Sequence, residues 1–234
     1  MDFVFLFDTL RQLIAGVPLL LKLASISIAA GAVLALLLAL MRLSGSRALS
    51  LIAQAYVFVF RGTPLLVQIF LIYYGLGQFP EVRQSIAWPL LREPYWCALL
   101  AFTLNTAAYS SEIIRGGILS VPFGQIEAAR ACGMPRFLMF RRIIAPQGLR
   151  VVLPAYGNEL ILMTRSTALA SVITLMEVTG IASTIISETF RAVEVFICAG
   201  AIYLVINFAI SRAIAIIERR FSKQVRPLAV PAHI

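Results

Sequence analysis

A 234-residue chain that is 60% apolar, with a mean hydropathy of +0.91, would have to expose much of its core if it folded in water. Its formal net charge of +9 comes from basic residues gathered in a few segments between apolar runs, which is a membrane bias and no sign of nucleic acid. Cys97, Cys132 and Cys198 lack paired spacing and His233 is the only histidine, so disulfide, metal and histidine-based catalytic chemistry find no support.

In chain order, residues 1–14 carry Asp2 and Asp8 where a secretory signal would be basic, and they read as an amphipathic segment at the membrane interface. A spanning helix needs about 20 mostly apolar residues. Residues 17–41, 51–76, 95–114, 151–175 and 195–217 meet that length, which predicts an all-α polytopic membrane protein of about five transmembrane helices. The transmembrane domain is thus expected over 15–217, followed by a basic tail over 218–234 set against lipid headgroups.

Charge placement predicts orientation. Arg42 and Arg47 follow the first span, and Arg115, Arg130, Arg136, Arg141, Arg142 and Arg150 lie between the third and fourth. Arg212, Arg219, Arg220, Lys223 and Arg226 end or follow the fifth. Glu81, Arg83, Arg92 and Glu93, then Glu177, Glu188, Arg191 and Glu194, fall in the alternate loops. The positive-inside rule puts the N-terminus outside and the C-terminus in the cytoplasm.

The longest polar interruption, 120–148, contains a helix-forming run at 126–131, bounded by Pro122 and Gly124 upstream and by Gly133 and Pro135 downstream. Small alanines suit close docking, and Gly133 lets the chain turn without a Cβ clash. No G-x-x-x-x-G-K-[ST] occurs, so an ATPase driving this chain would be another polypeptide.

Within that loop, Glu127-Ala128-Ala129, Gly133, Ile143 and Pro146 follow the spacing E-A-A, three residues, G, nine residues, I-x-L-P, with Ala145 in place of the leucine. This resembles the EAA loop of ATP-binding-cassette importer permeases, which docks into a groove of a separate ATPase subunit. Phe60-Arg61-Gly62-Thr63-Pro64-Leu65, Leu104-Asn105-Thr106-Ala107-Ala108-Tyr109 and Leu153-Pro154-Ala155-Tyr156-Gly157-Asn158-Glu159 resemble segments of polar amino-acid permeases. The likeness is to M-type subunits of histidine/lysine/arginine/ornithine importers and their octopine and nopaline relatives. It implies a type I (MetI-like) permease fold in a bacterial inner membrane and no cofactor in this chain. ATP and Mg would be held by two ATPase subunits. A homologous Q-type permease and a periplasmic solute-binding protein would complete the assembly.

Ionisable groups inside spans are costly and point to function. At about 1.5 Å per residue, Arg61 lies roughly 15 Å from the cytoplasmic end of its span, Glu159 roughly 12 Å deep and Arg165 roughly 21 Å deep. Asn105 approaches the same level from outside. Pro64 breaks the helix after Arg61-Gly62-Thr63 and frees backbone groups there. A midplane amino-acid site needs donors for a carboxylate, here Arg61, Thr63, Arg165, Ser166 and Thr167. It also needs an anion for the cation, here Glu159, with Asn158 and Asn105 as neutral partners. Asn158 and Arg165 share one helix face, and Glu159 and Ser166 the adjacent one. Two roles stay open for Arg61 and Glu159: holding solute, or neutralising each other across the bundle. Glu112 reads as solvated or paired with Arg115.

Two rival classes leave features unexplained. A secondary transporter or channel would want coupling carboxylates, a filter or inverted repeats, and gives no reason for the 127–146 pattern. An intramembrane protease would want a histidine or clustered carboxylates inside a span.

Overall fold

The computed structural model describes residues 3–222, and these are almost entirely helical, with no strand among them. Three helical runs are long and apolar enough to cross a membrane: Phe3–Leu43, Pro94–Leu119 and Ala192–Arg220. Two bent pairs bring the number of possible spans to five, as the hydropathy predicts.

Helix α1 (Phe3–Ile14) passes through Ala15 and Gly16 into α2 (Val17–Leu43). The segment expected at the interface is therefore packed on the bundle along one face, where Thr9 and Leu13 are buried. Gly16 is forced by a close approach, since a Cβ there would sit 2.6 Å from the backbone carbon of Glu177.

The second span departs from a straight helix. Helix α3 (Arg47–Gly62) stops, Thr63 and Pro64 are extended, and α4 (Leu65–Phe70) runs on through a π turn and a 3-10 turn to Gln78. The two halves differ in direction by 104°. Short helices α5 (Pro80–Arg83) and α6 (Trp88–Leu91) lead to α7 (Pro94–Leu119).

Helices α2 and α7 run parallel. Lys22 lies over the Tyr95 ring at 5.2 Å, Gly31 crosses Thr106, and Arg42 reaches Glu112 at 3.5 Å. The Gly31 crossing is tight, because a Cβ would meet Thr106 Cγ2 at 2.2 Å. The neighbouring Ala29 and Ala30 are exposed, so the small-residue run makes its close contact through Gly31. Around this pair lies a core of Leu23, Ile69, Ala101, Phe102, Met163 and Ile173.

After α7 come α8 (Phe123–Ala131) and α9 (Arg136–Met139). A π turn over Phe140–Ile144 then runs into α10 (Ala145–Ser166) and a 3-10 turn to Ile173. The fourth span was expected to start at 151; its helix already starts at Arg136. Ile143 and Pro146 belong to this helical run and not to a loop. Pro146 is tolerated inside this run because the adjoining π turn takes up the register where its N–H is missing. The preceding bond skips to the π pattern, Ala145 N–H to Phe140 O. Gly124, read as a breaker, lies inside α8. Gly117 and Gly148 let α7 and α10 touch backbone to backbone, since a Cβ on either would lie 2.9 Å from the other's carbonyl oxygen.

Helices α11 (Val178–Thr189) and α12 (Ala192–Ser222) complete the bundle. Only 17% of the most apolar stretch of α12 is buried against 56% for α7, so α7 is the central helix and α12 presents its surface to lipid or to another chain. The tail expected over 218–234 starts as a continuation of α12, and residues from 223 lie outside those described. Glu177, placed by sequence among the loop charges, is completely buried. Its carboxylate accepts from Gly180 N–H and from the Tyr203 hydroxyl, each at 2.8 Å, which ties the start of α11 to α12.

Candidate functional site

Two places on this scaffold carry the predicted residues. The first is a cavity of about 430 Å³ at the α3/α4 break. Arg61, Gly62, Thr63, Pro64 and Leu65 form one wall, with Asn105 and Tyr109 from α7. The facing wall is one stripe of α10: Glu159, Leu162, Met163 and Ser166, at the i, i+3, i+4, i+7 spacing of a single helix face. Of the eight residues proposed for solute, Arg61, Thr63, Asn105, Glu159 and Ser166 meet here. The other three do not. Asn158, one residue and about 100° around the helix from Glu159, lines a separate groove with Ser211 and Glu218 of α12. Arg165 is exposed and absent from the cavity wall, and Thr167 is buried with its hydroxyl donating to Thr164 O.

Glu159 is 6% exposed, and its one hydrogen bond among the described residues comes from the Thr106 hydroxyl at 2.9 Å. It makes no ion pair with Arg61 among the described residues, although both line the cavity. The Arg61 guanidinium lies instead over the Tyr109 ring, 5.0 Å from its centre. Glu112 is claimed by Arg115 at 2.7 Å and Arg42 at 3.5 Å, in keeping with the paired role expected of it.

Gln68, which the sequence reading passed over, holds the break in shape. Its Nε2 lies 2.9 Å from Phe60 O, 3.1 Å from Thr63 O and 2.8 Å from Thr63 Oγ1. Its Oε1 accepts from Asn105 Nδ2 at 3.0 Å, and Asn105 also reaches Phe60 O at 3.3 Å. Carbonyls freed by Pro64 are thereby satisfied from α4 and α7, as a broken helix at membrane depth requires. Asn105 is thus a clamp on the break as well as a cavity residue. A glutamine inside an apolar run, four residues after a proline, was the available signal. Gln68→Met should strand these groups and cost roughly 2–5 kcal/mol in total. A melting temperature about 5–10 °C lower in detergent is expected, with Thr63→Val losing less because the Gln68 to Phe60 bond survives. An unchanged melting temperature in Gln68→Met would remove the clamp.

The second place is the end of the bundle carrying α8. Glu127 and Ala128 are exposed there, Ala129 is buried, and Glu127 makes no side-chain hydrogen bond or ion pair among the described residues. Glu127 therefore does not brace the turn, a task done by the backbone. Gly133 has φ +72°, Gly133 N–H donates to Arg130 O at 2.9 Å and Met134 N–H to Ala129 O at 3.0 Å, the paired bonds of a Schellman ending. Gln147 Nε2, on α10, donates to Gln125 Oε1 of α8 at 2.6 Å and so links α8 to the fourth span. Ile143 sits one turn before Gln147 in the same span, and Pro146 is the residue next to it.

A bundle of up to five spans, with a polar cavity at a broken helix and an exposed E-A-A helix at one end, has the parts of a membrane permease driven from outside its own chain. Comparison with known proteins agrees. A family described as the inner membrane component of binding-protein-dependent transport systems matches residues 6–223, and the chain belongs to that family. It is 65% identical over 217 residues to the octopine transport system permease protein OccM of Rhizobium meliloti, covering 93% of this chain and 89% of the relative. It is 56% identical over 219 residues to the nopaline transport system permease protein NocM of Agrobacterium fabrum, covering 93% and 91%. Identity to the histidine/lysine/arginine/ornithine transport system permease protein HisM of Escherichia coli is 40% over 213 residues, covering 91% and 90%. A solved amino acid ABC transporter superposes with a TM-score of 0.84 at 38% identity, over 94% of this chain and 99% of that one. The MetNI methionine ABC transporter, at 18% identity and a TM-score of 0.71 over 91% and 97%, shares the fold.

Proposed function

We propose that this chain is the M-type permease subunit of an inner-membrane importer for opines or basic amino acids. It pairs with a homologous Q-type permease, and of the assembly's two ATPase subunits one docks on α8. A periplasmic binding protein delivers the solute from the other end. The observation that carries the solute class is the buried Glu159 carboxylate, hydrogen-bonded among the described residues by the Thr106 hydroxyl alone and facing a 430 Å³ cavity. That volume lies within the range of about 300–1,000 Å³ usual for small-molecule sites. Octopine, nopaline and arginine each carry a guanidinium and at least one carboxylate. Glu159 suits the first group, and Arg61, Thr63 and Ser166 offer donors to the second. The identities to octopine and nopaline permeases support the opine branch over the other basic solutes.

The mechanism follows from what is rigid. ATPase movement pushes α8, the Gln125–Gln147 bond carries it to α10, and the stripe bearing Glu159 moves relative to the clamped α3/α4 break. The test is uptake of labelled octopine, nopaline, arginine, histidine and glutamine into cells lacking their own importers. The cells carry this chain with its ATPase and binding protein, with and without the Q-type gene. Octopine or nopaline uptake that needs the Q-type gene is expected. Glutamine transported as well as any opine would reject the solute class, and full uptake without the Q-type chain would reject the heterodimer.

A further inference from the structure

The cavity beside Glu159 is not the last polar space along α7. A second one, of about 470 Å³, lies nearer the α8 end, lined by Arg42, Gln54, Val57, Phe58 and Glu112. The two cavities share three lining residues: Arg61, Gly62 and Tyr109. Residues that line both spaces are the wall between them. Across that wall the Arg61 guanidinium lies over the Tyr109 ring, 5.0 Å from its centre.

How Arg61 is held decides what the wall can do. Among the described residues Arg61 makes no ion pair and no side-chain hydrogen bond, so the ring is its partner. Its neighbours are fixed far more firmly: Phe60 and Thr63 are tied to Gln68 and Asn105. Gly62 leaves open space around its Cα. A long cationic side chain thus stands on a clamped backbone, held by one modest contact, with a carboxylate in each chamber. Glu112, on the inner side, is already engaged by Arg115 and Arg42, so moving Arg61 breaks no ion pair.

We propose that Arg61 and Tyr109 form the inner gate of the permeation path, closed when the guanidinium stacks on the ring and open when it swings off. This goes beyond the assignment of a solute and does not depend on Glu159 binding one. The gate joins the 430 Å³ chamber to the 470 Å³ chamber that opens toward the ATPase side. A planar cation on an aromatic face suits this task. It fills the gap when stacked, and it leaves at a cost far below that of a buried ion pair.

The test uses accessibility and needs no solute. In the assembled transporter, Cys97, Cys132 and Cys198 are replaced by serine or alanine. Ser166→Cys reports on the first chamber and Gln54→Cys on the second. A membrane-impermeant methanethiosulfonate reagent is offered from the ATPase side without nucleotide. Gln54→Cys should react in every background. Ser166→Cys should react slowly with the native pair, and about two- to thirtyfold faster once the stack is removed by Tyr109→Ala or Arg61→Gln. Tyr109→Phe, which keeps the ring, should stay slow. Arg61→Gln serves where Tyr109→Ala fails to assemble, with membrane abundance followed in each case. Equal Ser166→Cys rates in all backgrounds overturn the gate, as does a Tyr109→Phe rate as fast as Tyr109→Ala. Failure of Gln54→Cys to react from that side overturns it too, because the second cavity would then not be the inner chamber.

Discussion

Gly133→Val is expected to abolish solute-stimulated ATP hydrolysis while leaving the protein in the membrane, whereas Gly133→Asn keeps most of it. The reason is local. At φ +72° a residue with a Cβ pays about 1–2 kcal/mol, more for a β-branched side chain, while asparagine tolerates that conformation. Space is not the obstacle, since nothing lies within 4 Å of the position a Cβ would take. Valine would therefore undo the Schellman ending and turn α8 away from the α9–α10 run without damaging the core. Glu127→Lys tests the same surface by charge. The carboxylate makes no hydrogen bond or ion pair among the described residues, so its reversal removes no such contact there and acts on what docks. The measurement is ATPase activity of the assembled complex with and without loaded binding protein, beside membrane abundance. Native stimulation in both Gly133→Val and Glu127→Lys would mean that α8 carries no force.

The residues just tested were legible from spacing, because helix endings and docking helices are local. Glu127, Ala128, Ala129 and Gly133 fall where the pattern puts them, on one short helix and its left-handed exit. Ile143 and Pro146 were legible as a pattern and misplaced as structure. A proline reads as a breaker, but here an adjoining π turn absorbs the register and the helix runs on through it. The stripe of Glu159 and Ser166 also followed from helix periodicity. Asn158 and Arg165 were placed on the adjacent face and kept as solute partners for their depth, but that face turns away from the cavity. They share a face about 100° to 120° around the helix from Glu159, and the first looks toward α12. Gln68 was passed over for a different reason. Its role depends on carbonyls freed by Pro64 and on Asn105, 37 residues away in the chain. The 104° bend was signalled only as a break, since proline shows where hydrogen bonds stop and packing decides the angle.

The cavity carboxylate gives the second large effect. Glu159→Gln keeps the shape and an amide oxygen to accept from Thr106, so the hydrogen bond at 2.9 Å survives and only the charge is lost. If Glu159 holds the guanidinium of octopine or arginine, losing one charge-assisted hydrogen bond costs about 1.5–3 kcal/mol. Uptake of these solutes at limiting concentration should fall roughly ten- to hundredfold. A neutral solute such as glutamine, if carried at all, should be affected much less, and membrane abundance should not change. The competing account makes Glu159 the counter-ion of Arg61. In that case the mutant leaves a buried cation without its partner, abundance and all solutes fall together, and Arg61→Gln added to Glu159→Gln restores them. The geometry favours the first account, because Arg61 is exposed and lies over Tyr109, while Glu159 is buried and bonded, among the described residues, to Thr106 alone. Labelled octopine and arginine, compared with glutamine in the single and double mutants, separate the two. A uniform loss rescued by the double mutant would take Glu159 out of the solute site and leave it a structural role in the bundle.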